Sequence, residues 1–316
     1  MFKIPNVPSS DELVDYCFRA GSKEAKKARS TGKEKDVRMR VSEEKRIHTV
    51  ARRICGDLSI IVTSFPSYEQ LTPFYHKFFD IRIDKNRYKK SLGALSWVCV
   101  KLTSLEGESI HAIRSGKHNA SKHFLGKTSS LLKRVSGDLT YLREVGKIIK
   151  SFPLVKELPT LVVAGYPNVG KSTFVRNLTG SKIEVASYPF TTKGILIGYA
   201  KLRHEMVQII DSPGLLDRPL ESRNAIELQA VLALKDLADK ILFIYDPTME
   251  SEPQLNLFDE IAKSFTVDAF VGVNKADAAD KKALSQVAGL FPGRRLFVFT
   301  ANDPEACRKV FEEIFP

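Results

Sequence analysis

Residues 160–173 read TLVVAGYPNVGKST, a short apolar run followed by Gly165-x-x-x-x-Gly170-Lys171-Ser172. The run reads as a buried strand, and the residues from Lys171 onward as the opening of a helix. Between them, the glycines let the backbone curl and turn its N–H groups inward, at a helix N-terminus whose partial positive charge favours an anion. Such a loop holds a nucleotide phosphate. Lys171 is expected to reach the β- and γ-phosphate oxygens and the Ser172 hydroxyl to ligate Mg²⁺. Gly165, Pro167, Asn168, Val169, Gly170 and Thr173 complete the expected cradle.

Two later motifs narrow the nucleotide. DSPG (211–214) ends the apolar run EMVQIID. There Asp211 can hold Mg²⁺ through water, and the Gly214 N–H can meet the γ-phosphate, so the segment after it can sense that phosphate. NKAD (274–277) ends the run DAFVGVN. The Asp277 carboxylate can accept both N1–H and N2–H₂ of guanine, paired donors that adenine lacks, while Asn274 and Lys275 hold the loop and cover the ring. FTAND (299–303) ends a further strand, where Thr300 and Ala301 are expected at the base and the Ala301 N–H at guanine O6. Between the first two motifs lies YPFTTKG (188–194), in which Thr192, with Thr191 as the alternative, is expected to bind Mg²⁺ when GTP is present. The expected ligands are therefore GTP or GDP with Mg²⁺, and Lys171, Thr192 and Gly214 are the expected catalytic groups.

From residue 160 on, apolar runs at 195–202, 205–211, 240–246, 268–274 and 295–300 alternate with helical stretches, among them 221–238 and 303–315. That alternation predicts an α/β P-loop GTPase domain over 160–316, doubly wound on a mostly parallel sheet. Residues 1–150 differ. Helices are predicted over 42–63, 84–113 and 117–150, and the last two carry apolar stripes at steps of three or four. These are Tyr88, Leu92, Leu95, Cys99, Leu102 and Leu105, and then Phe124, Thr128, Leu131, Val135, Leu139, Leu142, Val145 and Ile149. An all-α helical bundle is expected there, with the proline-bearing SFPLVKELP (151–159) as linker.

Residues 1–150 hold 30 lysines and arginines against 16 aspartates and glutamates, net +14; the remainder holds 19 against 21, net −2. The first half is thus expected to meet a polyanion, RNA above all. The preferred contact is 117–150, through Lys117, Lys122, Lys127, Lys133, Arg134, Arg143 and Lys147. The four cysteines lack a CxxC pair and read as buried thiols in a reducing cytosol, not as a metal or disulfide framework. No secretory signal or membrane span is read, which points to a cytoplasmic protein, expected to be monomeric.

The three loop motifs together with YPFTT resemble the Obg-like group of translation-factor-like GTPases. TPFYHKFFDIRIDKNRYKKSLGAL (72–95) and DSPGLLDRPLESRNAIELQAVLAL (211–234) are similar to the nucleolar GTP-binding protein family, and the chain looks like its short, archaeal-type form. The resemblance implies GTP hydrolysis in assembly of the large ribosomal subunit. It also implies a helical N-terminal domain on the rRNA of the precursor particle, with ribosomal proteins or other assembly factors as further partners. Leu215 stands where many GTPases place a water-orienting glutamine. A slow intrinsic rate is expected, with catalysis completed by a partner side chain, RNA or K⁺. Asn168 resembles the loop asparagine that helps bind K⁺ in potassium-activated relatives. Arg218 and Arg223 either reach a partner or pair with Glu221 and Glu227. Two other functions fit these motifs: a GTP-gated RNA scaffold with little turnover, and a K⁺-dependent GTPase of the tRNA-modification type.

Overall fold

The structure is a computed structural model and describes residues 2–29, 34–117, 119–152, 155–180, 183–186, 195–211, 216–217, 231 and 234–316. It divides into two compact units: 1–70 with 82–150, and 71–81 with 151–316. Among the described residues no helix is long and apolar enough to cross a membrane.

The first unit is built from α1 (Ser10–Arg29), α2 (Lys35–Ser64), α4 (Lys85–Arg114), α5 (Ala120–Arg134) and α6 (Ser136–Lys150). A capping box starts α1: the Ser9 N–H donates to Glu12 Oε2 at 2.6 Å and the Glu12 N–H to Ser9 Oγ at 3.2 Å. Asp84 caps α4, accepting from the N–H groups of Asn86 and Arg87. On α2, Ile47, Val50, Ile54, Leu58 and Ile61 are buried; on α4, Leu95, Val98 and Leu102. These stripes meet along antiparallel α2 and α4, whose register is marked by His48–Glu106 at 2.6 Å and Arg114–Glu44 at 3.0 Å. The buried face of α4 is turned slightly from the expected stripe: Val98 is buried, while Leu92 and Cys99 lie at its edge.

The single helix expected over 117–150 is two helices. Val135 leaves helical geometry at φ −101° and ψ 12°, and α6 begins at Ser136. The stripe runs through the break, with Leu132 buried in place of the expected Leu131, which lies at its edge: Phe124, Thr128, Val135, Leu139, Leu142, Val145 and Ile149 are buried.

The domain expected over 1–150 also loses a piece. Helix α3 (Pro73–Arg82) is aromatic on the face it buries, and residues 71–81 pack with the second unit. Phe78 meets the Phe152 ring at 5.7 Å, Tyr75 Oη accepts from the Val155 N–H at 3.1 Å, and Lys77 pairs with Asp236 at 2.7 Å. Residues 71–81 hold one lysine and one aspartate, so the net +14 stays with the helical unit.

The second unit is a seven-stranded sheet in the order β2-β3-β4-β1-β5-β6-β7. Its strands are β1 (Thr160–Ala164), β2 (Ile183–Ala186), β3 (Ile195–Leu202), β4 (Glu205–Asp211), β5 (Lys240–Tyr245), β6 (Asp268–Val273) and β7 (Leu296–Val298). Pairings β2–β3 and β3–β4 are antiparallel and the rest parallel. Its helices include α7 (Lys171–Thr179), α8 (Ser251–Ser264), α9 (Lys281–Leu290) and α10 (Pro304–Ile314), the last capped by Asp303, while most of the helix expected over 221–238 lies outside the described residues. Strand β1 is buried throughout and flanked by β4 and β5. The strand order reverses there, and a doubly wound sheet opens a crevice at such a point.

Candidate functional site

The loop between β1 and α7 leaves the sheet at that crevice. Gly165 has φ +140°, and a Cβ there would lie 2.4 Å from the Ile244 carbonyl oxygen. Gly170 has φ +100°, and a Cβ would lie 2.3 Å from Asn274 Nδ2. Only glycine satisfies both the conformation and the space. Asn168 also has positive φ, +65°, which asparagine tolerates better than most residues. Lys171 is 7% exposed. Its ammonium donates to the Gly165 carbonyl at 2.8 Å and the Tyr166 carbonyl at 2.7 Å, which fixes the charge inside the curl of the loop.

Ser172 Oγ donates to Asp211 Oδ2 at 2.5 Å. Asp211 is fully buried at the end of β4, and its Oδ1 has no hydrogen-bond partner among the described residues. Burial raises the Asp211 carboxyl above its ordinary value, opposed by the Ser172 hydrogen bond and by Lys171. A buried carboxylate oxygen without a donor is costly unless a cation or its water meets it. The pair Ser172–Asp211 therefore fits Mg²⁺, which the hydroxyl and the carboxylate would hold. The Gly165 N–H donates to the Leu216 carbonyl at 3.1 Å, so the chain after DSPG is tied back to the loop.

The base side is organised by Asn274, which is 2% exposed. Its Nδ2 donates to the Val169 carbonyl and its Oδ1 accepts from the Ala301 N–H, both at 2.7 Å. One side chain thus clamps the phosphate loop to the loop after β7. The Ala301 N–H, expected at guanine O6, has Asn274 as its partner in this structure. Asp277 is exposed, and Thr300 Oγ1 donates to its Oδ1 at 2.9 Å, which orients the carboxylate. Lys275 has φ +56° and pairs with buried Asp246 at 2.5 Å. Burial alone would raise Asp246, but the hydrogen bonds from Lys275 and Thr248 outweigh it and hold the carboxyl below its ordinary value.

Two contributors were not expected from sequence. Asp246 follows β5 and anchors Lys275; Asn177 on α7 donates to the Ala301 carbonyl at 2.6 Å. Nothing local marks Asn177, but an aspartate ending a buried strand was a usable signal for Asp246. Thr191, Thr192, Gly214, Leu215, Arg218 and Arg223 lie outside the described residues, as do Glu221 and Glu227.

Asn274→Ala should destabilise the second unit by about 2–4 kcal/mol, because it leaves a buried N–H and a buried carbonyl without partners. Chemical denaturation followed by fluorescence would check this. A loss under 1 kcal/mol would mean the clamp is dispensable.

The sheet order, the phosphate loop and the guanine-side loops define a P-loop guanine-nucleotide-binding domain joined to a helical N-terminal region. A family profile described as "NOG1 N-terminal helical domain" matches residues 2–156, and one described as "50S ribosome-binding GTPase" matches 160–275. An uncharacterized protein of Methanocaldococcus jannaschii is 37% identical over 89% of this chain and 81% of its own length. Nucleolar GTP-binding protein 1 of Caenorhabditis elegans is 32% identical over 89% of this chain and 43% of its own length. A solved Plasmodium falciparum chain described as nucleolar GTP-binding protein 1 aligns with 52% of this chain and 89% of its own, at 28% identity and TM-score 0.44. The chain belongs to the nucleolar GTP-binding protein 1 family, and it spans less than half the length of the nematode member.

Proposed function

We propose that this protein hydrolyses GTP to GDP and phosphate as a Mg²⁺-dependent cytoplasmic monomer, and that it acts as an assembly factor on the large ribosomal subunit through rRNA contacts of its helical unit. The observation that carries the nucleotide chemistry is the buried Asp211 Oδ1, without a partner among the described residues, beside the Ser172 hydroxyl. Bound Mg²⁺ would neutralise charge on the β- and γ-phosphates. Lys171 adds a second, fixed cation inside the loop. Thr192 and the Gly214 N–H complete the γ-phosphate side, as the motif order implies. Leucine at 215 offers no polar group to orient water, so the particle or K⁺ at Asn168 supplies that function. K⁺ stimulation that disappears in Asn168→Ala supports the cation, and equal rates in K⁺ and Na⁺ remove it.

The partner reading rests on a groove of about 790 Å³ between α4 and α5. Lys101, Lys122, His123, Lys127 and Arg134 line it, with Glu108 the acid among them. Arg143 is occupied elsewhere, donating to the Val7 carbonyl and Glu12, and Lys147 pairs with Glu144. Among the described residues, Lys122, Lys127, Lys133 and Arg134 are exposed and form no ion pair. A row of unpaired cations beside a groove is the electrostatic footprint of a phosphate backbone.

Asp277→Asn should weaken GTP binding by more than about tenfold, or 1.4 kcal/mol, and should gain xanthosine triphosphate. Titration with both nucleotides checks this; unchanged GTP affinity would remove Asp277 from base recognition. For the whole reading, single-turnover hydrolysis is measured with and without large-subunit precursor particles. Stimulation supports the assembly factor, and particle binding without turnover would favour the GTP-gated scaffold instead.

A further inference from the structure

Cys55 on α2 and Cys99 on α4 face each other across the helical unit. Each Sγ lies 3.8 Å from the other residue's carbonyl oxygen, within reach of a weak S–H···O hydrogen bond. The His48–Glu106 pair confirms the register: it lies seven residues back along α2 and seven forward along α4. Seven residues are about two helical turns, so both pairs sit on the same side of the seam. Cys17 and Cys307 are buried, whereas Cys55 and Cys99 are only half-buried, contrary to the expectation of four buried thiols. The core does not need them, because α4 buries Leu95, Val98 and Leu102 at this level.

We propose that Cys55 and Cys99 are a reversible redox pair, closed to an interhelix disulfide by a low-molecular-weight disulfide and reopened by a dithiol. Cys99 is the attacking group. The contact with Cys55, helped by Ser59, holds the Cys99 thiol below its ordinary value against burial, while the same contact together with burial pushes Cys55 up. The Cys99 thiolate attacks one sulfur of the small disulfide, whose S–S bond breaks and releases one thiolate. Cys55 then loses its proton to solvent and attacks Cys99 Sγ, forming the protein disulfide and releasing the second thiolate. Two protein thiols lose two protons and two electrons, and the small disulfide becomes two thiols. A reducing compartment keeps the pair open, and an oxidising excursion closes it.

The position gives closure a consequence. The two cysteines are 44 residues apart, and the chain between them contains Leu71–Ile81, which packs in the second unit. A bridge would close the chain from Cys55 to Cys99, that excursion included, into one covalent loop.

The test uses the full chain, reduced and then exposed to glutathione disulfide. After acid quench, denaturation, alkylation and digestion, mass spectrometry should show the Cys55 peptide linked to the Cys99 peptide, two hydrogens lighter than the pair. Cys17 and Cys307 should be alkylated. Oxidation should raise Tm by on the order of 5 °C in the wild type and not in Cys55→Ser. Cys55→Ser should trap glutathione on Cys99, while Cys99→Ser should leave Cys55 reacting at least about tenfold more slowly. Absence of the 55–99 link in the wild-type digest, glutathione held on Cys99 without closure, or equal linkage to Cys17 and Cys307 would overturn the proposal, whatever the variants do.

Discussion

Replacing Lys171 with alanine should slow GTP hydrolysis by about 10²–10³-fold, the scale of removing one fixed charge donor from a transition state. The ammonium sits inside the phosphate loop, held by two loop carbonyls, and is almost wholly buried. Little rearrangement is needed for it to meet phosphate oxygens, so its charge is preorganised. Alanine is the best helix former, so the start of α7 survives the change. The Gly165 and Tyr166 carbonyls do lose a donor, and a melting curve separates that cost from the catalytic one. Single-turnover phosphate release at saturating GTP is the measurement, with fluorescent GDP reporting binding. A variant that still releases phosphate within about threefold of wild type would mean that Lys171 stabilises only the loop.

The loop motifs of the candidate site were legible because each is local. A loop that must curl around phosphate needs glycine at residues 165 and 170, and the positive φ at both shows why no other residue serves. The parallel strands were legible for a similar reason: buried on both faces, β1 and β5 are nearly uninterrupted apolar runs. Contacts remote in sequence were not legible. Helical period says that Phe74 and Phe78 share a face, but not which unit buries that face; Phe152 and Asp236 decide it. The stripe from Phe124 to Ile149 predicted one helix because the break at Val135 preserves the apolar phase. Ser136-Gly137 was the available warning. Asn274 was expected to hold the loop and help cover the ring; which loops it ties together was not legible, because only the register of β6 against β7 creates the clamp.

Reversing Lys122, Lys127, Lys133 and Arg134 to glutamate should weaken binding to large-subunit particles by about 10² or more at 100 mM salt. Each cation that neutralises a phosphate releases counterions, so the loss of four contacts should flatten the salt dependence by a slope of about four. All four residues are exposed, and their helix propensity is close to that of glutamate, so α5 should persist. The buried side of that helix, Phe124, Thr128 and Leu132, is unchanged. GTP affinity should stay the same, because the substituted residues belong to the helical unit and the nucleotide loops to the other. Cosedimentation with particles and anisotropy with a short duplex RNA, each at three salt concentrations, distinguish the cases. Loss on both probes with a flattened slope places the phosphate backbone on α5. Particle binding at the wild-type level would move the RNA contact to another basic face, since α5 would then have lost its charge without consequence.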